Sequence, residues 1–89
     1  MIFSSRNITT DTTTTLKSAP GVLHSITINT PANSGSITVY DSLVGSGTKI
    51  ATIASFASTN PCLIFDVAFW TGLTIVTATA APDITVTFT

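Results

Sequence analysis

The sequence predicts an all-β fold, a single compact antiparallel β-sandwich of about seven to eight strands, and three observations carry that expectation. Turn residues punctuate the chain at Pro20-Gly21, Pro31 to Gly35, Gly45-Ser46-Gly47, Asn60-Pro61, Thr71-Gly72 and Ala81-Pro82-Asp83. Turn clusters about 8–12 residues apart with alternating runs between them are the signature of a sandwich or barrel. The 89 residues include nineteen Thr and ten Ser. Threonine is β-branched and stiff at χ1, which favours strands, and its hydroxyl suits a solvated strand face. Finally, no stretch repeats apolar residues at the helical period, and Glu, Gln and Arg are nearly absent. Strand order is not legible from these signals, so jelly-roll-like and immunoglobulin-like topologies both satisfy them.

Residues 1–19 read as a polar N-terminal arm or edge strand, because Thr9-Thr10-Asp11-Thr12-Thr13-Thr14-Thr15 buries little on either face. Ile2 and Phe3 lie at its tip as two apolar residues that pack either on the chain's own core or on another chain. Residues 20–89 form the sandwich domain. In its first strand, Val22 to Asn29, alternation sends Val22, His24, Ile26 and Ile28 to one face and Leu23, Ser25, Thr27 and Asn29 to the other. Ser36 to Asp41 points Ile37 and Val39 inward against Thr38 and Tyr40, and reads as a hairpin partner of the first strand. In Thr48 to Ala54 the spacing of Ile50 and Ile53 breaks alternation and predicts a bulge. Leu73 to Ala78 turns Leu73 and Ile75 inward. Ile84 to Thr89 is the cleanest period-two signal, with Ile84, Val86 and Phe88 in and Thr85, Thr87 and Thr89 out.

The segment Cys62-Leu63-Ile64-Phe65-Asp66-Val67-Ala68-Phe69-Trp70 departs most from alternation. Neighbouring side chains of a strand point to opposite faces, so Phe69 and Trp70, or Ile64 and Phe65, cannot both enter one core without a kink. A run with two apolar faces needs cover on both, from a loop, an arm or a second subunit. The interface candidates are therefore Ile2, Phe3, Leu63, Phe65, Asp66, Phe69 and Trp70.

Charge narrows the partners. Three Lys or Arg against four Asp give a formal net charge of −1, and charged residues make up 8% of the chain. Arg6, Lys17 and Lys49 are too few and too dispersed to neutralise a track of phosphates or hold an anionic membrane. No apolar run reaches the 18 or more residues of a membrane helix. The start, Met1-Ile2-Phe3-Ser4-Ser5-Arg6, lacks the basic and apolar regions of a secretory signal, which places synthesis in a cytoplasm. A single cysteine, Cys62, precludes an internal disulfide framework. One charge for roughly every 700 Å² of an isolated domain's surface is sparse for a free monomer, and favours assembly.

Chemistry has little to work with, and no catalytic residue, metal ligand set or cofactor is expected. His24 is the only imidazole and reads as a half-buried strand residue with its nitrogens satisfied by backbone or water; a general base needs an orienting partner and a substrate nearby. No Gly-x-Ser-x-Gly elbow occurs. Gly45-Ser46-Gly47-Thr48-Lys49 has neither the spacing of a phosphate loop nor a helix after it. The aspartates do not form a calcium loop, and no Cys/His cluster suits zinc. Asp41 and Asp83 stand beside turn residues, where bonding to their own backbone explains them. Asp66, inside the apolar run, is expected to bond across an interface or cap a loop.

The stretches Gly21-Val22-Leu23-His24-Ser25-Ile26, Ile37-Thr38-Val39-Tyr40-Asp41, Gly45-Ser46-Gly47-Thr48-Lys49-Ile50-Ala51, Phe65-Asp66-Val67-Ala68-Phe69, Thr71-Gly72-Leu73 and Ile84-Thr85-Val86-Thr87 together resemble a family of small bacteriophage capsid decoration, or cement, proteins. The likeness spans roughly residues 20 to 89; Trp70, where a small polar residue would sit more comfortably, departs from it. The resemblance implies a non-enzymatic virion protein, assembled in the host cytoplasm, that binds the major capsid protein on the outer surface of the head as a homo-oligomer, a trimer. The competing expectation is a phage tail or head-fibre component acting as an adhesion module, with Tyr40 and Trp70 stacking on sugars.

Overall fold

A computed structural model describes residues 2–30, 35–54, 62–78 and 83–89. Eight strands follow in order: β1 (Ser4–Ile8), β2 (Thr13–Lys17), β3 (Gly21–Thr30), β4 (Ser36–Asp41), β5 (Thr48–Ala54), β6 (Cys62–Phe69), β7 (Leu73–Ala78) and β8 (Asp83–Phe88). They form two four-stranded sheets, ordered β1-β8-β3-β6 and β2-β7-β4-β5, with every pairing antiparallel. The pairs β1·β8, β2·β7, β3·β6 and β4·β5 are those of one long hairpin whose turn lies between β4 and β5. Rolling that hairpin adds β3·β8 and β4·β7 and divides its arms between two sheets. This is jelly-roll topology, so of the two arrangements left open by the sequence the chain adopts the jelly roll.

The core lies between the sheets and is built by period-two alternation. Ile8, Leu23, Ile26, Ile28, Ile37, Val39, Phe69, Leu73, Ile75, Ile84 and Val86 are buried there, with Phe88 and Ile53 packed at its margin. The inward residues expected of β4, β7 and β8 are in place. So is the irregularity expected in β5, where Val39 pairs with Ala51 and Tyr40 with Lys49, leaving Ile50 as the extra residue. The turn signals at Pro31 to Ser34, Asn60-Pro61 and Ala81-Pro82 lie outside the described residues.

Two expectations are corrected. First, β3 and β4 are not a hairpin: β3 pairs with β6 and β8, whereas β4 pairs with β5 and β7 in the other sheet. Second, Leu23, not Val22 or His24, shares the core face with Ile26 and Ile28. Between Leu23 and Ser25 the ladder advances two residues on β3 for one on β8, Phe88 to Thr87, so His24 is an inserted residue. A bulge carries the alternation forward by one position and turns the inserted side chain away from the core.

Residues 4–17 supply one edge strand to each sheet, β1 to the first and β2 to the second. Ile8 is the β1 side chain that enters the core; Ser4, Ser5, Arg6 and Asn7 are exposed.

Candidate functional site

The interface candidates separate into two sets. In β6, Leu63, Phe65 and Val67 turn inward, Phe69 is fully buried, and Cys62, Ile64, Asp66 and Ala68 face outward. The run thus obeys the alternation that its composition concealed, and Phe69, Phe65 and Leu63 belong to the chain's own core or its margin. That removes Phe69 from any surface, while Leu63 and Phe65 are half-buried. Of the candidates, Ile2 (92% exposed), Trp70 (73%) and Asp66 remain on the outside, and Ile64 (60%), Leu43 and Val44, which the sequence did not single out, join them.

Trp70 sits on the turn that joins β6 to β7, and this turn is held by a single carboxylate. Asp41, at the end of β4, accepts the backbone N–H of Trp70 on both oxygens (3.1 and 3.0 Å), of Thr71 at 2.8 Å and of Gly72 at 3.3 Å. The bonds from Trp70 and Thr71 favour the ionised form and lower the Asp41 pKa below the ordinary carboxylate value, despite a smaller opposing effect of burial. Asp41 therefore does not bond its own neighbouring backbone, as the sequence implied; it reaches a turn some thirty residues away. A Cβ on Gly72 would lie 2.7 Å from the Lys17 carbonyl oxygen and 2.8 Å from Leu43 Cδ2, so only glycine allows the turn and the β4–β5 loop this close. The loop is fixed in turn by Thr74 Oγ1, which donates to the Ser42 carbonyl at 2.8 Å, and by Thr15 Oγ1, which donates to that of Leu43 at 3.2 Å. This end of the sandwich presents Trp70, Leu43 and Val44 on a backbone that three strands hold rigid.

A second cluster lies on the outer face of the β1-β8-β3-β6 sheet. The inserted His24 bonds through Nδ1 to Asp66 Oδ1 at 2.5 Å, a contact that is an ion pair only when the ring is protonated. Asp66 is itself out of the ordinary, with φ of 49°. Here β6 advances from Val67 to Ile64 while β3 advances from Leu23 to Ser25, so β6 also carries an extra residue. Aspartate is among the few residues that tolerate this left-handed conformation. On the other side of the imidazole lies Phe3, its ring stacked at a centroid distance of 4.2 Å and an interplanar angle of 11°. The Nδ1 of His24 is thus partnered by a carboxylate, and Asp66 bonds within the chain. Each residue was conspicuous by itself in the sequence; their meeting was not, because 42 positions separate them.

The remaining charges are distributed with equal economy. Arg6, Lys17, Lys49 and Asp66 place one charge on each of the four edge strands β1, β2, β5 and β6. Edge strands carry unpaired backbone groups that invite further strands, and charges and bulges blunt them. Asp83 at the start of β8 accepts from Asn7 (2.8 Å) and Asn29 (3.2 Å), tying β1 and β3 to the strand between them. Among the described residues no pocket forms, and no group of three His, Cys, Asp or Glu side chains could hold a metal ion.

No family model and no curated protein matches the chain. Its fold is similar to that of the Drosophila NLP core, whose crystal structure has been described as giving insight into pentamer formation and histone binding. The two superpose with a TM-score of 0.67 at 16% identity, over 100% of this chain and 98% of that one. At that identity the likeness establishes a common sandwich architecture and nothing of shared activity.

Proposed function

We propose that this chain is a non-enzymatic structural protein of a bacteriophage particle, a capsid decoration protein that assembles with copies of itself and clamps adjoining subunits of the major capsid protein on the outside of the head. The supporting observation is the end of the sandwich held by Asp41, where Trp70, Leu43 and Val44 are exposed on a backbone fixed by hydrogen bonds. Apolar anchors held in place before binding avoid the ordering cost of association, and tryptophan is enriched among residues that dominate interfaces. The jelly roll is a recurrent capsid fold, and the phrases of sequence that resemble decoration proteins point the same way.

Self-assembly is part of the reading. The resemblance implies a trimer, whereas the Drosophila protein of similar fold is described in terms of a pentamer, so three and five are the competing counts. Histone binding, the other property named for that protein, finds no support in this chain's charge. A basic partner calls for an acidic field, and four aspartates set against three cations do not provide one.

The experiment has two parts. Native mass measurement gives the number of copies in solution, and imaging of the assembled particle gives the location. A symmetric oligomer on the outer shell in hundreds of copies is the expected result. A monomer that fails to bind expanded capsids lacking it would overturn the proposal. Exposed Trp70 also suits sugar stacking, which favours the tail or head-fibre adhesion reading as the second choice; a dozen or fewer copies per particle would select it.

A further inference from the structure

The His24 cluster has features that the assembly reading does not use. Two strands each carry an inserted residue at the same level, and one of these, Asp66, holds a left-handed conformation. Such conformations cost energy and persist where the surroundings enforce them, commonly at switches and clamps. Their product is one arrangement: an imidazole with a carboxylate on its Nδ1 and a phenyl ring parallel to its plane. Phe3 belongs to the N-terminal segment, immediately before β1, and next to it Ile2 is almost wholly in solvent.

We infer that Phe3, His24 and Asp66 form a proton-sensitive latch that fixes the segment before β1 to the outer face of the sheet and releases it as the imidazole loses its charge. Both contacts of the ring respond to its protonation in the same sense. A protonated ring turns the bond to Asp66 into a charge-assisted ion pair, and it turns the stack on Phe3 into a cation–π contact. A neutral ring keeps only an ordinary hydrogen bond and an uncharged stack. Few other charges interfere. On this face β8 and β1 bring Thr87 and Ser5, both uncharged, into register with Ser25; Asp83, four residues further along β8, is taken up by Asn7 and Asn29, and of the outward residues of β6 Asp66 carries the charge while the Cys62 thiol stands at the start of the strand, opposite Thr27. Arg6 pairs with Val86, a core residue, and so belongs to the opposite face. Charge on the ring therefore tightens the latch.

The latch governs how the exposed Ile2 is presented: held on the sheet surface when His24 is charged, free to sample other positions when it is neutral. Because His24 and Asp66 lie on the outer face, away from the core, substitutions there that keep the backbone conformation leave the sandwich intact.

The test is an NMR titration of the whole chain, following the Phe3–His24 ring contacts and the ring-current displacement of the His24 carbon-bound protons. Between about pH 8 and about pH 5.5, the ratio of latched to unlatched chains should rise roughly two- to five-fold, the range that a solvent-exposed charge pair supports. Asp66→Asn, which tolerates the same backbone, should lose most of that rise. His24→Phe, which keeps an aromatic ring and cannot titrate, should hold Phe3 to the same extent across the whole range. An unchanged ring contact in the natural chain, or an equal pH response in His24→Phe, would overturn the latch. A count of copies or a location on the particle that contradicts the decoration reading leaves this result unaffected.

Discussion

Strands β6 and β7 are consecutive, yet composition and burial run in opposite directions. β6, Cys-Leu-Ile-Phe-Asp-Val-Ala-Phe, is the most apolar run in the chain, and every second residue of it up to Ala68 is exposed. β7, Leu-Thr-Ile-Val-Thr-Ala, carries two threonines and buries Leu73, Thr74, Ile75 and Thr77. The cause is place in the sheet: β6 is an edge and β7 lies between β2 and β4. Its outer face is covered by the β4–β5 loop, where a Cβ on Gly45 would lie 3.0 Å from Val76 Cγ2. Burial of the threonines is tolerated because their hydroxyls are satisfied. Thr74 donates to the Ser42 carbonyl and Thr77 to that of Thr10 at 2.7 Å, and among the described residues no buried side-chain polar atom lacks a partner. Hydropathy alone would have ranked the two strands the wrong way round.

The largest expected effect comes from the one β6 side chain that is fully buried. Phe69→Ala should destabilise the fold by about 3–5 kcal/mol in denaturant unfolding, through lost transfer energy and the cavity left behind. Phe65→Ala, from the half-buried part of the same strand, should cost about half as much. If the two prove equal, the contrast between the end of β6 and its edge is wrong.

On β7 the next effect is polar. Thr74→Val keeps the shape, removes the hydroxyl, and takes the donor from the Ser42 carbonyl in a half-buried site, at a cost of about 1 kcal/mol. The same change at exposed Thr52 of β5 should stay within about 0.5 kcal/mol. Unfolding midpoints at constant slope decide between them.

The turn joining the two strands should respond to acid. Asp41 has a folded-state pKa below its ordinary value, so its contribution is fully present above the ordinary carboxylate range and is lost as pH falls through the lowered one. Trp70 is the only tryptophan, and its emission reports on the turn. In the natural chain that signal should hold until pH drops below the usual carboxylate range. In Asp41→Asn the acid-side change should be absent, with a lower thermal midpoint near neutrality.

The smallest effect on stability belongs to the outward side chains. Trp70→Ala and Ile64→Ser should leave the unfolding free energy of the isolated chain within about 0.5 kcal/mol. On the decoration reading, Trp70→Ala nevertheless weakens capsid binding by about tenfold or more, measured by sedimentation with particles lacking the protein.

Much of the molecule was legible because its signals are local. The bounds of β4, β5 and β7, the inward residues of β8 and the extra residue at Ile50 all follow from alternation interrupted at identifiable points. The first strand misled because a bulge at His24 leaves no mark in the sequence, and one inserted residue exchanges the faces of everything beyond it. The interface candidates failed in part for a related reason. A strand rich in apolar residues on both faces looks the same whether its second face is covered or sits at an edge, and edge position is set by pairing with distant segments.

By itself, then, the sequence determined the all-β class, most strand positions, the inward residues of the later strands and the poverty of charge, since each depends on residue type and period along the chain. Tertiary structure alone decided the jelly-roll order, the placing of one charge on each edge strand, the hold of Asp41 on the Trp70 turn and the meeting of His24 with Asp66 and Phe3. These join residues far apart along the chain, and strand pairing over such distances is set by the closure of the whole sandwich, not by any local preference.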